Sequence, residues 1–155
     1  MSASPEAPKN SRIRIRNSDY EAILNHAKAE FPKEACGLLA GTAGEGVRVV
    51  EKVYFTANID ASRRHFSIDP REQLAAVKDM RAKGLTPLGN FHSHPESPAR
   101  LSEEDIRFAR DPAASYLILS LAEDPPVMRA FRVEGGVPSE EEIEIRPNPE
   151  ENPAE

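Results

Sequence analysis

His92-Ser93-His94-Pro95 closes an apolar run, and Ser102 and Asp105 follow after a proline-interrupted loop. This spacing constrains the fold more than any other feature. Pro87–His94 reads as a strand, and alternate residues of a strand share a face, so both imidazoles point the same way. Ser102 reads as the cap of a short helix, with Glu103, Glu104 and Asp105 in its first turn, where the helix dipole favours acids. Any fold must therefore set a strand end against a helix N-terminus, with the loop Pro95–Leu101 reversing the chain. Two imidazoles and one carboxylate are an ordinary ligand set for zinc. A metal held by only three protein groups keeps a position open for water.

The rest of the chain supplies the scaffold. Arg12–Arg16 alternates with period two and predicts a strand with Ile13 and Ile15 inward. Ser18-x-x-Glu21 has the form of a capping box. It predicts a helix to about residue 30, with Tyr20, Ile23, Leu24 and Ala27 on one face and Pro32 ending it. Cys36–Gly41 reads as a buried strand, Thr42–Gly46 as a glycine turn and Val47–Phe55 as the returning strand. A loop over residues 56–63 leads to a short strand, Arg64–Ile68. Asp69-Pro70-Arg71-Glu72 then starts a helix lined by Leu74, Val77 and Met80 and stopped at Gly84. Tyr116–Leu121 and Val127–Val133 are strands across an acidic turn, and Glu142–Ile145 reads as a last edge strand. The order predicts the α/β class: one domain, with a curved mixed sheet packed with helices. The expected bounds are a disordered N-terminus over residues 1–11, the domain over 12–146 and an acidic, proline-containing disordered tail over 147–155.

Composition excludes several functions. The chain has 155 residues and net charge −6, and seven glutamates against one arginine lie between Glu140 and Glu155. The remainder is close to neutral, so no basic face is left for nucleic acid. The acidic stretch is expected to keep the protein soluble. No apolar run reaches membrane-spanning length, and the N-terminus lacks the apolar core of a secretory signal. The single cysteine, Cys36, excludes an internal disulfide. Together these features predict a cytoplasmic protein that does not engage membranes.

Hydrolysis at a metal needs a general base. Glu34, just before the buried strand, is the candidate. Taken singly, each piece has a plainer reading: His-x-His as polar filler, Ser102-x-x-Asp105 as a helix cap, Glu34 as a solvated loop acid. Taken together in this order, they point to a hydrolytic metal site. His26 and His65 have no partners at ligand spacing and read as structural, and Cys36 reads as a small core residue.

Glu34-Ala-Cys-Gly-Leu-Leu-Ala-Gly41, Gly89-Asn-Phe-His-Ser-His-Pro95 and Ser102-Glu-Glu-Asp105 resemble the JAMM (MPN-plus, or JAB-domain) zinc metalloproteases. Phe66-Ser-Ile-Asp-Pro70 resembles the segment that often precedes that family's second helix. The likeness runs from about residue 12 to about residue 135. It implies a cytidine-deaminase-like JAMM/MPN fold, one Zn2+ held by His92, His94 and Asp105, Glu34 as general base, and Ser102 as the group that stabilises the oxyanion. It also implies cleavage after the C-terminal Gly-Gly of a ubiquitin-like protein. The short chain is similar to the compact bacterial branch, some of whose members act on β-grasp sulfur carriers of the ThiS/MoaD type. Two expectations compete with this one. The first is a metal peptidase acting on cell-wall or phage-associated peptides. The second is a non-catalytic module whose metal pins a loop, with His65 as a fourth ligand.

Overall fold

The computed structural model describes residues 11–147. Seven strands and three helices lie among them. The strands are β1 (Arg12–Arg16), β2 (Cys36–Gly44), β3 (Val47–Thr56), β4 (Thr86–His94), β5 (Ser115–Ser120), β6 (Val127–Glu134) and β7 (Val137–Arg146). The helices are α1 (Asn17–Glu30), α2 (Pro70–Ala82) and α3 (Glu103–Phe108). The sheet is mixed, as expected, and its curvature runs to closure in the order β1-β3-β2-β4-β5-β6-β7. β1 lies parallel to β3 and β7, β4 lies parallel to β5, and the remaining pairs are antiparallel. Among the described residues closure leaves no long unpaired edge on which another chain can template.

Pleating divides the apolar residues between two sides of the sheet. Ile13, Ile15, Leu39, Val50, Leu88, Phe91, Leu117 and Leu119 join Ile23 and Ala27 of α1 in the main core. On the other side, Leu38 and Ala40 pack against Ala76 and Met80 of α2. Tyr116 and Ile118 pack beside the segment carrying α3. Each fully buried Leu or Ile contributes about 1.5–3 kcal/mol, so α1 is held by its apolar stripe more than by its ends. At Gly89, β4 and β5 approach so closely that a Cβ would fall 1.8 Å from the Ser115 carbonyl oxygen. Only glycine fits where backbones pass this closely.

Several local expectations change. α1 begins at Asn17 with Arg16 at its cap, so Ser18 lies inside the first turn and the Ser18–Glu21 pattern is not the cap. The β1 strand runs directly into the helix, which leaves no turn for a capping box. The glycine turn shrinks to Glu45-Gly46, because β2 keeps pairing with β3 through Gly44. Arg64–Ile68 is no strand: a single bridge joins Asn58 to Ile68, and no neighbouring strand continues it. Leu74 is 55% exposed, and α2 instead buries Ala76 and Met80, one turn apart.

The largest correction concerns the C-terminal acids. Glu142–Ile145 belongs to β7, which pairs with both β6 and β1 and is not an edge. Glu140, Glu141, Glu142 and Glu144 lie in that strand opposite Arg129, Arg132, Arg12 and Arg14, so half the acidic stretch is a charge-matched seam. Ser11, assigned to the N-terminal segment, is buried, and its hydroxyl donates to Glu141 at 2.7 Å. The segments over 1–10 and 148–155 lie outside the described residues. Among the described residues no helix is long and apolar enough to cross a membrane.

Candidate metal centre and its cleft

β4 ends where β2 begins, and this meeting builds the site. Cys36 pairs with His92 across the two strands, and the pairing continues one step further. The Ala35 N–H donates to Ser93 Oγ at 2.7 Å, and the Ser93 N–H donates to the Ala35 carbonyl at 2.9 Å. Extended by one further residue, this register brings Glu34 to the level of His94. Glu34 is fixed from its other side as well. Its N–H donates to the Ser62 carbonyl at 2.7 Å, and Asn58 Nδ2 donates to its carbonyl at 3.0 Å. Nothing in the local sequence signals Asn58, because its partners come from two separate loops.

α3 supplies the remaining groups. Ser102 caps it as expected: Ser102 Oγ accepts the Asp105 N–H, and the Ser102 N–H donates to Asp105 Oδ2, both at 2.9 Å. This reciprocal box fixes the Asp105 carboxylate and leaves the Ser102 hydroxyl hydrogen free to donate elsewhere. Asp105 Oδ2 lies 3.2 Å from both His92 Nε2 and His94 Nε2, and the two nitrogens are 3.2 Å apart. The three form a group that can hold a metal ion. The fit is close: a tetrahedron with arms of about 2.0–2.1 Å has edges of about 3.3–3.4 Å. His94 Nδ1 donates to the Pro98 carbonyl at 2.8 Å, which leaves the Nε2 lone pair facing the other ligands. His92 Nδ1 is buried without a partner, and its ring is held by Phe66 stacked at 4.6 Å between centroids.

Electrostatics match this geometry. Burial keeps His92 from protonating, so it presents a neutral imidazole. Burial alone would raise Asp105, but its close contacts with His92 and His94, and the Ser102 N–H that it accepts, hold it well below the usual carboxylate range. Glu34 goes the other way. Only 2% exposed, it is pushed up from 4.5 to about 9 by burial, then by the charges of Asp105 and Glu104. Its Oε1 has no hydrogen-bond partner among the described residues. A dication at the neighbouring ligands would favour the carboxylate and draw this value back down.

The remaining histidines and the cysteine stand outside the group. His65 Nδ1 lies 3.1 Å from Asp60 Oδ2, and His65 is not part of the metal group. His26 packs edge-on against Phe55. Cys36 is buried, its thiol pushed up to about 11 by that burial, which removes it as a nucleophile.

A cavity of about 500 Å3 opens beside the group, lined by His92 and Asp105 together with Leu38, Phe66, Asn90, Leu101, Glu104, Phe108 and Tyr116. Asn90, Phe66 and Glu104 were not among the expected site residues. Asn90 did carry a readable signal, since it stands two residues before His92 on the same strand face.

The model of the family described as prokaryotic homologs of the JAB domain matches residues 16–134. A CysO-cysteine peptidase of Mycobacterium tuberculosis is 32% identical over 133 residues, covering 84% of this chain and 89% of that protein. A desampylase of Haloferax volcanii is 32% identical over 115 residues, 71% and 81% of the two chains. The solution structure of a Desulfitobacterium hafniense protein superposes with a TM-score of 0.81 at 51% identity, covering 88% of this chain and 94% of that one.

Proposed function

The chain belongs to the prokaryotic JAB-domain family, and from that membership we propose that it is a zinc peptidase. It hydrolyses the amide bond after the C-terminal Gly-Gly of a ubiquitin-like or ThiS/MoaD-type carrier. The observation that carries this reading is a buried Glu34 with one carboxyl oxygen, Oε1, unpartnered among the described residues, next to three converging ligand atoms. A site that merely pins a loop has no use for such a group, and structural zinc sites are usually closed by four ligands. The relatives support the substrate class: one is named a CysO-cysteine peptidase and another a desampylase. We assign the catalytic domain to residues 12–146 and the protein to the cytoplasm, on the single cysteine and the chain's composition.

In this reading His92, His94 and Asp105 hold the metal, and Ser102 and Glu34 carry out the chemistry around it. A bound zinc supplies Lewis acidity and brings the pKa of water to about 7. Glu34 takes the proton of the attacking water and passes it to the leaving nitrogen. Its neighbourhood suits both halves of this proton transfer, since burial favours the protonated carboxyl and a nearby cation favours the carboxylate. Ser102 directs its free hydroxyl hydrogen at the oxygen of the scissile carbonyl as negative charge develops there. Phe66 and the apolar wall beside it exclude competing water.

The test is elemental analysis of untagged protein together with turnover of a Gly-Gly carrier fusion. The reading expects about one zinc per chain, lost in His94→Ala, and cleavage that stops with a chelator. Metal-independent cleavage, or retained cleavage in His94→Ala, would refute it.

A further inference from the structure

Asn90 holds an unmet hydrogen bond in the cleft wall. Its Oδ1 is buried and has no partner among the described residues, although Asn90 lines the same cavity as His92 and Asp105. Native proteins rarely leave such an oxygen without a donor, and when they do the group calls for an explanation. Neither the packing nor the metal group gives one. Rotation about the last side-chain bond of asparagine is easy, so its amide can present the oxygen to the cleft.

The position of Asn90 points to what it meets. Asn90 and His92 alternate along β4, so their side chains stand roughly 6.6–6.8 Å apart on one face. An extended peptide points its peptide groups the same way at the same interval, every two residues. With a scissile carbonyl beside His92, the peptide group two residues away comes opposite Asn90. The direction follows from Glu34. Glu34 sits at the level of His94, so the leaving nitrogen that takes its proton lies toward that end of β4. The acyl limb must then run the other way, along the cavity past Asn90, Leu38 and Tyr116, which are cross-strand neighbours.

We propose that Asn90 is a specificity-determining residue that hydrogen-bonds the peptide group joining the Gly-Gly pair to the residue before it. The distance from His92 to Asn90 thus measures a two-glycine tail. The apolar side chains of Leu38, Phe66, Leu101 and Tyr116 enclose that tail. This inference rests on the peptidase reading for the position of the scissile bond.

The experiment uses zinc-loaded protein and short labelled peptides ending in Gly-Gly. One peptide is unmodified, one is N-methylated on the first glycine and one on the second. Affinities come from fluorescence anisotropy, for wild type and Asn90→Leu, with turnover of the matching amide substrates measured in parallel. Methylating the first glycine should weaken wild-type binding roughly tenfold. Asn90→Leu should bind the unmodified peptide roughly tenfold more weakly and be indifferent to that methyl group. The variant should melt no lower than wild type, since it removes a buried oxygen that has no donor.

Unchanged affinity in Asn90→Leu, or a methyl penalty that persists in it, would overturn the proposal. So would a large loss of thermal stability, which would make Asn90 structural. If wild type binds the tail in this Asn90-dependent way but cleaves no amide after it, the peptidase reading fails and the role of Asn90 stands.

Discussion

Glu34 and Glu141 are equally buried, each 2% exposed, yet the protein treats them in opposite ways. Glu141 sits in the seam between β7 and its neighbours. It accepts hydroxyls from Ser11 at 2.7 Å and Ser115 at 2.8 Å, and Arg132 lies 3.6 Å away. Glu34 sits where β2 meets β4, with one carboxyl oxygen unpartnered and its affinity for a proton raised. A buried carboxylate supplied with donors and a counter-charge is scaffold. One left without them is held in readiness for something the free protein lacks. In the seam the hydrogen bonds of the buried carboxylate are already made, while in the cleft one oxygen of Glu34 is kept in reserve.

The strongest way to break this contrast is to neutralise each acid in turn. Glu34→Gln should lower kcat/KM by about 10²–10⁴-fold, the usual share of a general base, with zinc content and fold retained. Steady-state kinetics beside elemental analysis checks this, and near-normal turnover would remove Glu34 from the mechanism. Glu141→Ala should do the reverse. It strands the Arg132 charge in the seam and should cost about 3–5 kcal/mol in urea unfolding, with turnover per folded molecule unchanged.

A pH titration sharpens the comparison further. In the metal-free protein, folded Glu34 keeps its proton up to about 9, while the unfolded chain releases it near 4.5. Between those values the native state binds more protons, so stability falls as pH rises, by at most about 1.4 kcal/mol per pH unit. Thermal melts from pH 5 to 9 should show this slope, and Glu34→Gln should flatten it. An equal slope in the variant would place its origin elsewhere. The smallest effect is expected at the exposed pair Arg129–Glu140, whose Glu140 is the neighbour of Glu141 on β7. Glu140→Gln should change unfolding free energy by about 0.5 kcal/mol or less, since water screens such pairs. A loss comparable to that of Glu141→Ala would mean that charge alone, not burial, holds the seam.

Much of the site was legible because its information is local. His92 and His94 share a face by strand pleating alone, and Ser102 and Asp105 form their cap within one turn. Asp69 caps α2 by the same short-range logic. Where the structure departs from expectation, a distant partner decided. Arg64–Ile68 has the residues of a strand, but no neighbouring strand runs beside it. Ser18–Glu21 has the letters of a capping box, but β1 feeds α1 without a break. The glutamates of β7 read as a solubilising acidic stretch on an edge strand because two of the arginines that meet them, Arg12 and Arg14, stand at the other end of the described chain.

The sequence by itself determined the elements and the ligand spacing, because backbone geometry fixes which side chains within one strand or one turn face together. Family resemblance added the roles expected of those ligands. Only the tertiary structure decided that the sheet closes into a barrel, that Glu34 comes to the level of His94, and that Glu34 and Asn90 keep unmet oxygens while Glu141 does not. Those outcomes depend on which surfaces lose water together. Desolvation belongs to a neighbourhood assembled from remote segments, and no window of the chain contains it.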